Sequence, residues 1–149
     1  MSQEHAYVED NDRERARMRD LVARLSEDEL RMPVNEHWTV AGVLGHIAFW
    51  DARSVALSEK LARGIPFSPD DAEPEDVDWI NDATRPLIHA IEPAEMVRLA
   101  LQLAEEADRH VAAIDPARMF PLDPESPIYG VRAAHRGEHL DQIEGALGT

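Results

Sequence analysis

Apolar residues recur every three or four positions along most of this chain, the spacing of a helix with one buried face. Four stretches show the pattern clearly, and they predict long amphipathic helices over residues 11–25, 39–64, 93–114 and 126–147. Strand-forming runs of β-branched residues are scarce. The pattern therefore predicts an all-α protein.

Residues that favour helix ends stand at most of the predicted boundaries. Thr39 is a good N-cap for the second long helix, and Pro93 suits the first turn of the third. Ser26 and Glu29 form the sequence signature of a capping box, which predicts one short helical turn after the first helix. Ser126, followed by a proline, is predicted to start the fourth helix.

The connection between the second and third long helices is the longest. Residues 64–74 are rich in Pro, Asp and Ser and predict a loop, and residues 75–91 predict a helical piece kinked or divided at Pro86. Four long helices with loops of mixed length predict a four-helix bundle. We expect one domain over residues 1–149, with the long connection as a crossover or a cover for a site.

Composition and charge exclude several classes of function. The formal net charge is −15, from 15 basic and 30 acidic residues, so phosphate backbones and anionic membranes would be repelled. The chain has no cysteine, which removes disulfides, cysteine-ligated metals and cysteine nucleophiles. No apolar run approaches the roughly 18 residues that span a bilayer. We expect a cytoplasmic protein that binds neither nucleic acid nor membrane.

Histidine positions are the strongest chemical signal. His135 and His139 are four residues apart on the predicted fourth helix, so both rings can reach one ion from the same face. His46 lies near the inward face of the second helix and can supply a third imidazole. Three protein ligands leave a position open for water or substrate. His110, near the apolar stripe of the third helix, is a reserve candidate.

Two other metal classes fit less well. Residues 135–139 match the H-x-x-E-H protease pattern, but that class needs a further carboxylate ligand well downstream, and few residues follow. The ferritin-like di-iron class needs Glu-x-x-His pairs. No histidine here has a glutamate three residues before it.

Two motifs together resemble the DinB-like family of metal-binding four-helix bundles. Residues 37–48, HWTVAGVLGHIA, resemble the Trp, Ser/Thr and His pattern that opens the family's second helix. Residues 135–143, HRGEHLDQI, resemble the H-x-x-x-H-x-x-Q-I pattern of its fourth. Helix order and length also agree, so the resemblance covers nearly the whole chain. The superfamily includes thiol-dependent S-transferases and the N-terminal domain of mycothiol-dependent maleylpyruvate isomerase.

This resemblance implies one divalent ion, most often zinc or nickel, held by His46, His135 and His139. It also implies a transferase that uses a low-molecular-weight thiol, such as bacillithiol, mycothiol or glutathione, on a small electrophile. Three alternatives stay open. One is a metal-containing protein that binds or sequesters a small molecule without turnover, another is a metal-dependent hydrolase of a small substrate, and the third is a structural bundle whose histidines are only core residues. The sequence does not fix the oligomeric state, and a homodimer also stays open.

Further site candidates come from residues close to the histidines in sequence. Asp51 and Glu138 are candidate carboxylates that accept a hydrogen bond from a ligand imidazole or take a proton. Trp50 and Arg132 are candidates for contact with substrate, the arginine for an anionic one. The sequence assigns no catalytic residue.

Overall fold

The computed structural model describes residues 6–71 and 77–148 of the chain. Within these ranges the chain forms six α-helices and no β-strand. The α-helices are α1 (Ala6–Ala23), α2 (Glu27–Arg31), α3 (Val40–Ala62), α4 (Asp78–His89), α5 (Pro93–Ala113) and α6 (Arg132–Leu147). Short 3-10 turns cover Pro69–Asp71 and Pro116–Arg118.

The four long helices pack in a closed ring, which confirms the predicted helical bundle. Going round the ring, α3 packs against α5, α5 against α1, α1 against α6, and α6 against α3. The short α2 lies against α3 and α5, and α4 lies against α3. The long connection therefore places a helix on the outside of α3.

Three predicted helix starts are confirmed, two of them by capping hydrogen bonds. The Ser26 hydroxyl accepts from the Glu29 backbone N–H, and the Glu29 carboxylate accepts from the Ser26 N–H, so the capping box is complete. The Thr39 hydroxyl accepts from the Gly42 N–H at the start of α3. Pro93 is the first residue of α5.

Other boundaries differ from the sequence prediction. The first helix begins at Ala6 rather than near Asn11, and α4 is not divided at Pro86. The fourth long helix begins at Arg132 rather than near Ser126. Residues 72–76, which the prediction split between loop and helix, lie outside the described part of the chain.

The late start of α6 has a cause in α1. The Asn11 side chain is almost fully buried; its amide oxygen accepts from the Ala133 N–H and its amide nitrogen donates to the Gly130 carbonyl. The cap of α6 is thus supplied by another helix. Before it, the Ser126 hydroxyl accepts from the Ile128 N–H and holds a turn instead of a helix.

Aliphatic and alanine side chains fill the bundle interior. The larger cluster of buried residues consists of Met18, Leu21, Val22, Leu30, Val40, Ala41, Val43, Leu44, Ile47, Ala48, Ile88, Met96, Ala100, Ala104, Leu140 and Ile143. A smaller cluster at the other end contains Leu57, Val111, Met119 and Ile128. In the described ranges no helix is both long and apolar enough to cross a membrane.

Candidate metal site

Three imidazoles from two helices converge at the α3–α6 contact. His46 comes from α3, and His135 and His139 come from α6, one helical turn apart. One nitrogen from each ring lies within 4.8 Å of the other two. The ring centroids are 5.0 Å apart for His46 and His135, and 4.6 Å apart for the other two pairs. All three side chains are partly buried.

Hydrogen bonds orient these rings. Nδ1 of His139 lies 2.9 Å from Oε1 of Gln142, an oxygen that can only accept, so Nδ1 carries the proton and Nε2 keeps its lone pair. Nε2 of His135 lies 3.1 Å from Nε2 of His46. Nδ1 of His135 is buried and has no hydrogen-bond partner among the described residues. Burying ring nitrogens with so few partners is costly.

Burial keeps two of the rings neutral near pH 7. It lowers the pKa of His46 to about 4, with a smaller contribution from the positive charge of His139. Burial also lowers the pKa of His135 to about 2, helped by the charges of His139, Arg132, His46 and Arg136 in that order. A neutral imidazole is the form that binds a metal ion.

This donor set fits a divalent transition metal. Tetrahedral coordination with metal–nitrogen bonds of about 2.0–2.1 Å places ligand nitrogens roughly 3.3 Å apart. The His46–His135 nitrogen separation of 3.1 Å already matches this spacing, and all three ligand nitrogens lie within 4.8 Å of one another. The cluster can therefore hold a metal ion after small side-chain shifts.

A cleft of about 390 Å³ opens beside His46 and His135. The other residues on its walls are Trp50, Arg53, Val77, Asn81, Tyr129, Val131, Arg132, Ala134 and Glu138. The volume is that of a small-molecule site. A second cavity of about 220 Å³ lies beside His46 and His139, so the histidine cluster stands between two openings.

Asn81 of α4 is a residue that the sequence reasoning missed. It lines both cavities, and its amide oxygen accepts from the Trp50 indole N–H at 3.0 Å. No local motif marks it; only the packing of α4 on α3 brings it to the site. The long connection thus contributes a wall of the cleft, as its length suggested.

The sequence candidates Trp50, Arg132 and Glu138 all lie on the cleft. Glu138 is exposed there. The Arg53 guanidinium lies over the Trp50 ring, with its carbon 5.8 Å from the ring centroid. The structure therefore places both substrate-contact candidates beside the histidines.

Asp51 forms hydrogen bonds with two arginines rather than with a histidine. It is completely buried, and its two oxygens accept from Nε of Arg132 at 2.9 Å and from Nε of Arg136 at 3.2 Å. Arg136, itself fully buried, also donates twice to Asp108 at 2.8 Å. Arg15 of α1 also donates to Asp108, at 2.9 Å. This alternating row of charges ties α1, α3, α5 and α6 together.

The other histidines with described positions lie outside the cluster. The reserve candidate His110 is on α5 and is not among the grouped ligand atoms. His89, at the end of α4, packs its ring against that of Trp38 at a centroid distance of 5.4 Å. His37 is exposed in the loop before α3.

One comparison with known proteins gave a match. A family model described as the DinB superfamily matches residues 11–143. No curated protein matches the chain. No solved structure matches it either. The match includes all three histidines, the whole of α3 and α5, and most of α1 and α6.

Proposed function

Because this chain belongs to the DinB superfamily, we propose that it binds one divalent metal ion and transfers a low-molecular-weight thiol to a small electrophile. The proposed ligands are His46, His135 and His139. The observation that carries the proposal is the convergence of these three imidazoles at the mouth of a cleft. Zinc and nickel are the proposed metals, since imidazole nitrogens suit both.

The number of ligands supports a reactive site rather than a structural one. Structural zinc sites are closed by four protein ligands, whereas three leave a position for a small molecule. His46 and His135 both border the 390 Å³ cleft, so a molecule in that cleft can reach the proposed ion. The cleft is far larger than a water molecule needs.

The proposed reaction needs a nucleophile from outside the chain. The protein has no cysteine, so the sulfur must arrive with a cosubstrate. When bound, a divalent cation supplies Lewis acidity that lowers the pKa of such a thiol. In the transfer, the new sulfur–carbon bond forms as the electrophile's leaving group departs with its bonding electrons, and the thiol proton passes to solvent.

The chain's own residues hold and surround the reactants. His46 and His135 stay neutral at pH 7 and offer lone pairs, and Gln142 fixes the tautomer of His139. Trp50 and Asn81, joined by a hydrogen bond, form a fixed wall of the cleft. A wall held in place orients a small substrate at little entropic cost.

Metal content is the first test of the proposal. We expect about one equivalent of zinc or nickel, by elemental mass spectrometry of untagged protein, and its loss in His46→Ala. His110→Ala is the matched control, because it removes an imidazole outside the cluster, and it should keep the metal. Stoichiometric metal in folded His46→Ala, or none in wild type after reconstitution, would sink the ligand assignment.

Turnover is the second test. Metal-loaded protein would be assayed with glutathione, mycothiol and bacillithiol, each with 1-chloro-2,4-dinitrobenzene, which releases chloride on conjugation. We expect thiol-dependent product that disappears on chelation and in His46→Ala. Hydrolysis of p-nitrophenyl acetate without thiol would replace the transferase by a hydrolase. Metal binding without either reaction across a broader set of electrophiles would leave a binding protein.

A further inference from the structure

A positively charged side chain is fixed at the wall of the cleft, close to the histidines. Arg132 is the first residue of α6 and precedes His135 by three positions, so both side chains lie on one face of the helix. Both border the cleft. The positive charge of Arg132 is near enough to contribute to the lowered pKa of His135.

The Arg132 guanidinium is held in position by a buried carboxylate, but most of its hydrogen-bond donors have no partner among the described residues. Its Nε donates to Asp51 at 2.9 Å, and this is its one hydrogen bond within the described residues. A guanidinium has five N–H donors, so most of its capacity is left for the cleft. Its orientation is nevertheless set, because Asp51 is completely buried in the bundle.

Asp51, which is the one carboxylate partner of Arg132 in the described part of the chain, is shared with a second arginine. The second oxygen of Asp51 accepts from Arg136, so one negative charge serves two guanidinium groups. The next carboxylate in the row, Asp108, is taken by Arg136 and Arg15. The row of alternating charges therefore ends at the cleft with a cation. A cation that is mostly buried and only partly neutralised favours an anionic ligand beside it.

We propose that the cleft takes substrates or thiols that carry a carboxylate, and that Arg132 binds this carboxylate while the rest of the molecule extends toward the histidines. The reaction of that ligand rests on the function proposed above, but its binding does not. The exposed Glu138 on the same cleft adds repulsion, which favours a singly charged carboxylate over a doubly charged phosphate. Val77, Val131 and other apolar residues of the cleft suit a hydrocarbon body.

The test compares two probes of equal size on metal-free protein. Chelated wild type would be titrated calorimetrically at pH 7 with phenylacetate and with phenylacetamide, which differ in charge. We expect phenylacetate to bind at least about tenfold more tightly, a difference of about 1.4 kcal/mol. Without metal the carboxylate cannot coordinate an ion, so any preference reports on the protein alone. The result is therefore independent of metal content and turnover.

Variants assign the preference to one side chain. Arg132→Gln should abolish it. Arg15→Gln is the matched control, because it removes a guanidinium from the far end of the same row without touching the cleft, and it should keep the preference. Val131→Glu adds a negative charge at an exposed wall position outside the row, and it should reduce the preference even if Arg132→Gln does not fold.

Three results would overturn the proposal. These are equal affinity of wild type for the two probes, no saturable binding of phenylacetate, and an unchanged preference in folded Arg132→Gln. If Arg132→Gln does not fold, the third result becomes an unchanged preference for phenylacetate in Val131→Glu. Failure of the metal or conjugation assays would leave these outcomes unaffected, so the two proposals can fall separately.

Discussion

Replacing Arg136 would measure how much the buried row of charges contributes to the stability of the bundle. This side chain donates twice to Asp108 and once to Asp51, and it also donates to the backbone carbonyls of Asn11 and Ala104. Arg136→Met keeps an unbranched side chain of similar length and removes every one of these hydrogen bonds. Two buried carboxylates then lose a partner each.

The expected loss follows from those contacts. Removing one partner of a buried ion pair costs about 3–5 kcal/mol. In the variant Asp51 keeps Arg132 and Asp108 keeps Arg15, so neither carboxylate is left alone. We therefore expect the lower end of that range, about 3 kcal/mol. Such a loss is a large part of the roughly 5–15 kcal/mol by which a typical domain is stable.

Urea unfolding of chelated protein, followed by far-ultraviolet circular dichroism at pH 7, measures this loss. Arg98→Met is the control, because Arg98 pairs with Glu95 on the exposed surface of α5, where solvent screens the pair, and its removal should leave the free energy of unfolding nearly unchanged. If Arg136→Met also cost less than about 1 kcal/mol with an unchanged m value, the buried row would be no stronger than a surface pair. The reasoning about the row would then be wrong.

Three further predictions concern acidity, the ring tautomer and close packing. The folded pKa values of His46 and His135 both lie below the ordinary histidine value, so the unfolded state takes up these protons first as the pH falls. In urea titrations of metal-free protein between pH 6.5 and 4, His46 alone should account for about 3 kcal/mol of lost stability, and His135 should add to that loss. His46→Gln should therefore lose about 3 kcal/mol less than wild type over this range. Gln142→Leu removes the acceptor that fixes the His139 tautomer and should weaken zinc affinity about 10–100-fold in a chelator competition, whereas unchanged affinity would contradict that role. Gly45→Ala would place a methyl group against Ile88 and should destabilise the fold by about 1–3 kcal/mol in the same urea assay. Gly145→Ala, which has open space around it, should instead stabilise the fold by up to about 1 kcal/mol, because alanine favours the helix.

Much of the fold follows from local sequence because its causes are local. The capping box at Ser26 and the N-cap at Thr39 each use side chains within three residues of the groups they satisfy. The apolar spacing of α3 and α5 needs no knowledge of what they pack against. The histidine cluster was predictable for the same reason, because His135 and His139 are related by one helical turn and His46 lies on an inward face.

The features that sequence reasoning missed depend on distant contacts. The start of α6 is set by Asn11, which caps Ala133 across 122 positions of sequence. Arg136 looks like a solvent-exposed residue on a charged helix, and only the approach of two carboxylates from α3 and α5 explains its burial. Asp51 was predicted beside the histidines for its nearness in sequence. Its side chain is instead taken up by the two arginines.

The histidine cluster joins two helices that are far apart in the chain, since His46 and His135 are 89 residues apart. An ion bound by both would act as a cross-link and close that length of chain into a loop. In the chain-entropy view, closing a loop of this size by a disulfide stabilises a protein by about 4–5 kcal/mol. This protein has no cysteine and can make no such bond. The proposed ion would provide a reversible cross-link instead. The concentration of free metal would then set the stability of the folded bundle as well as its chemistry.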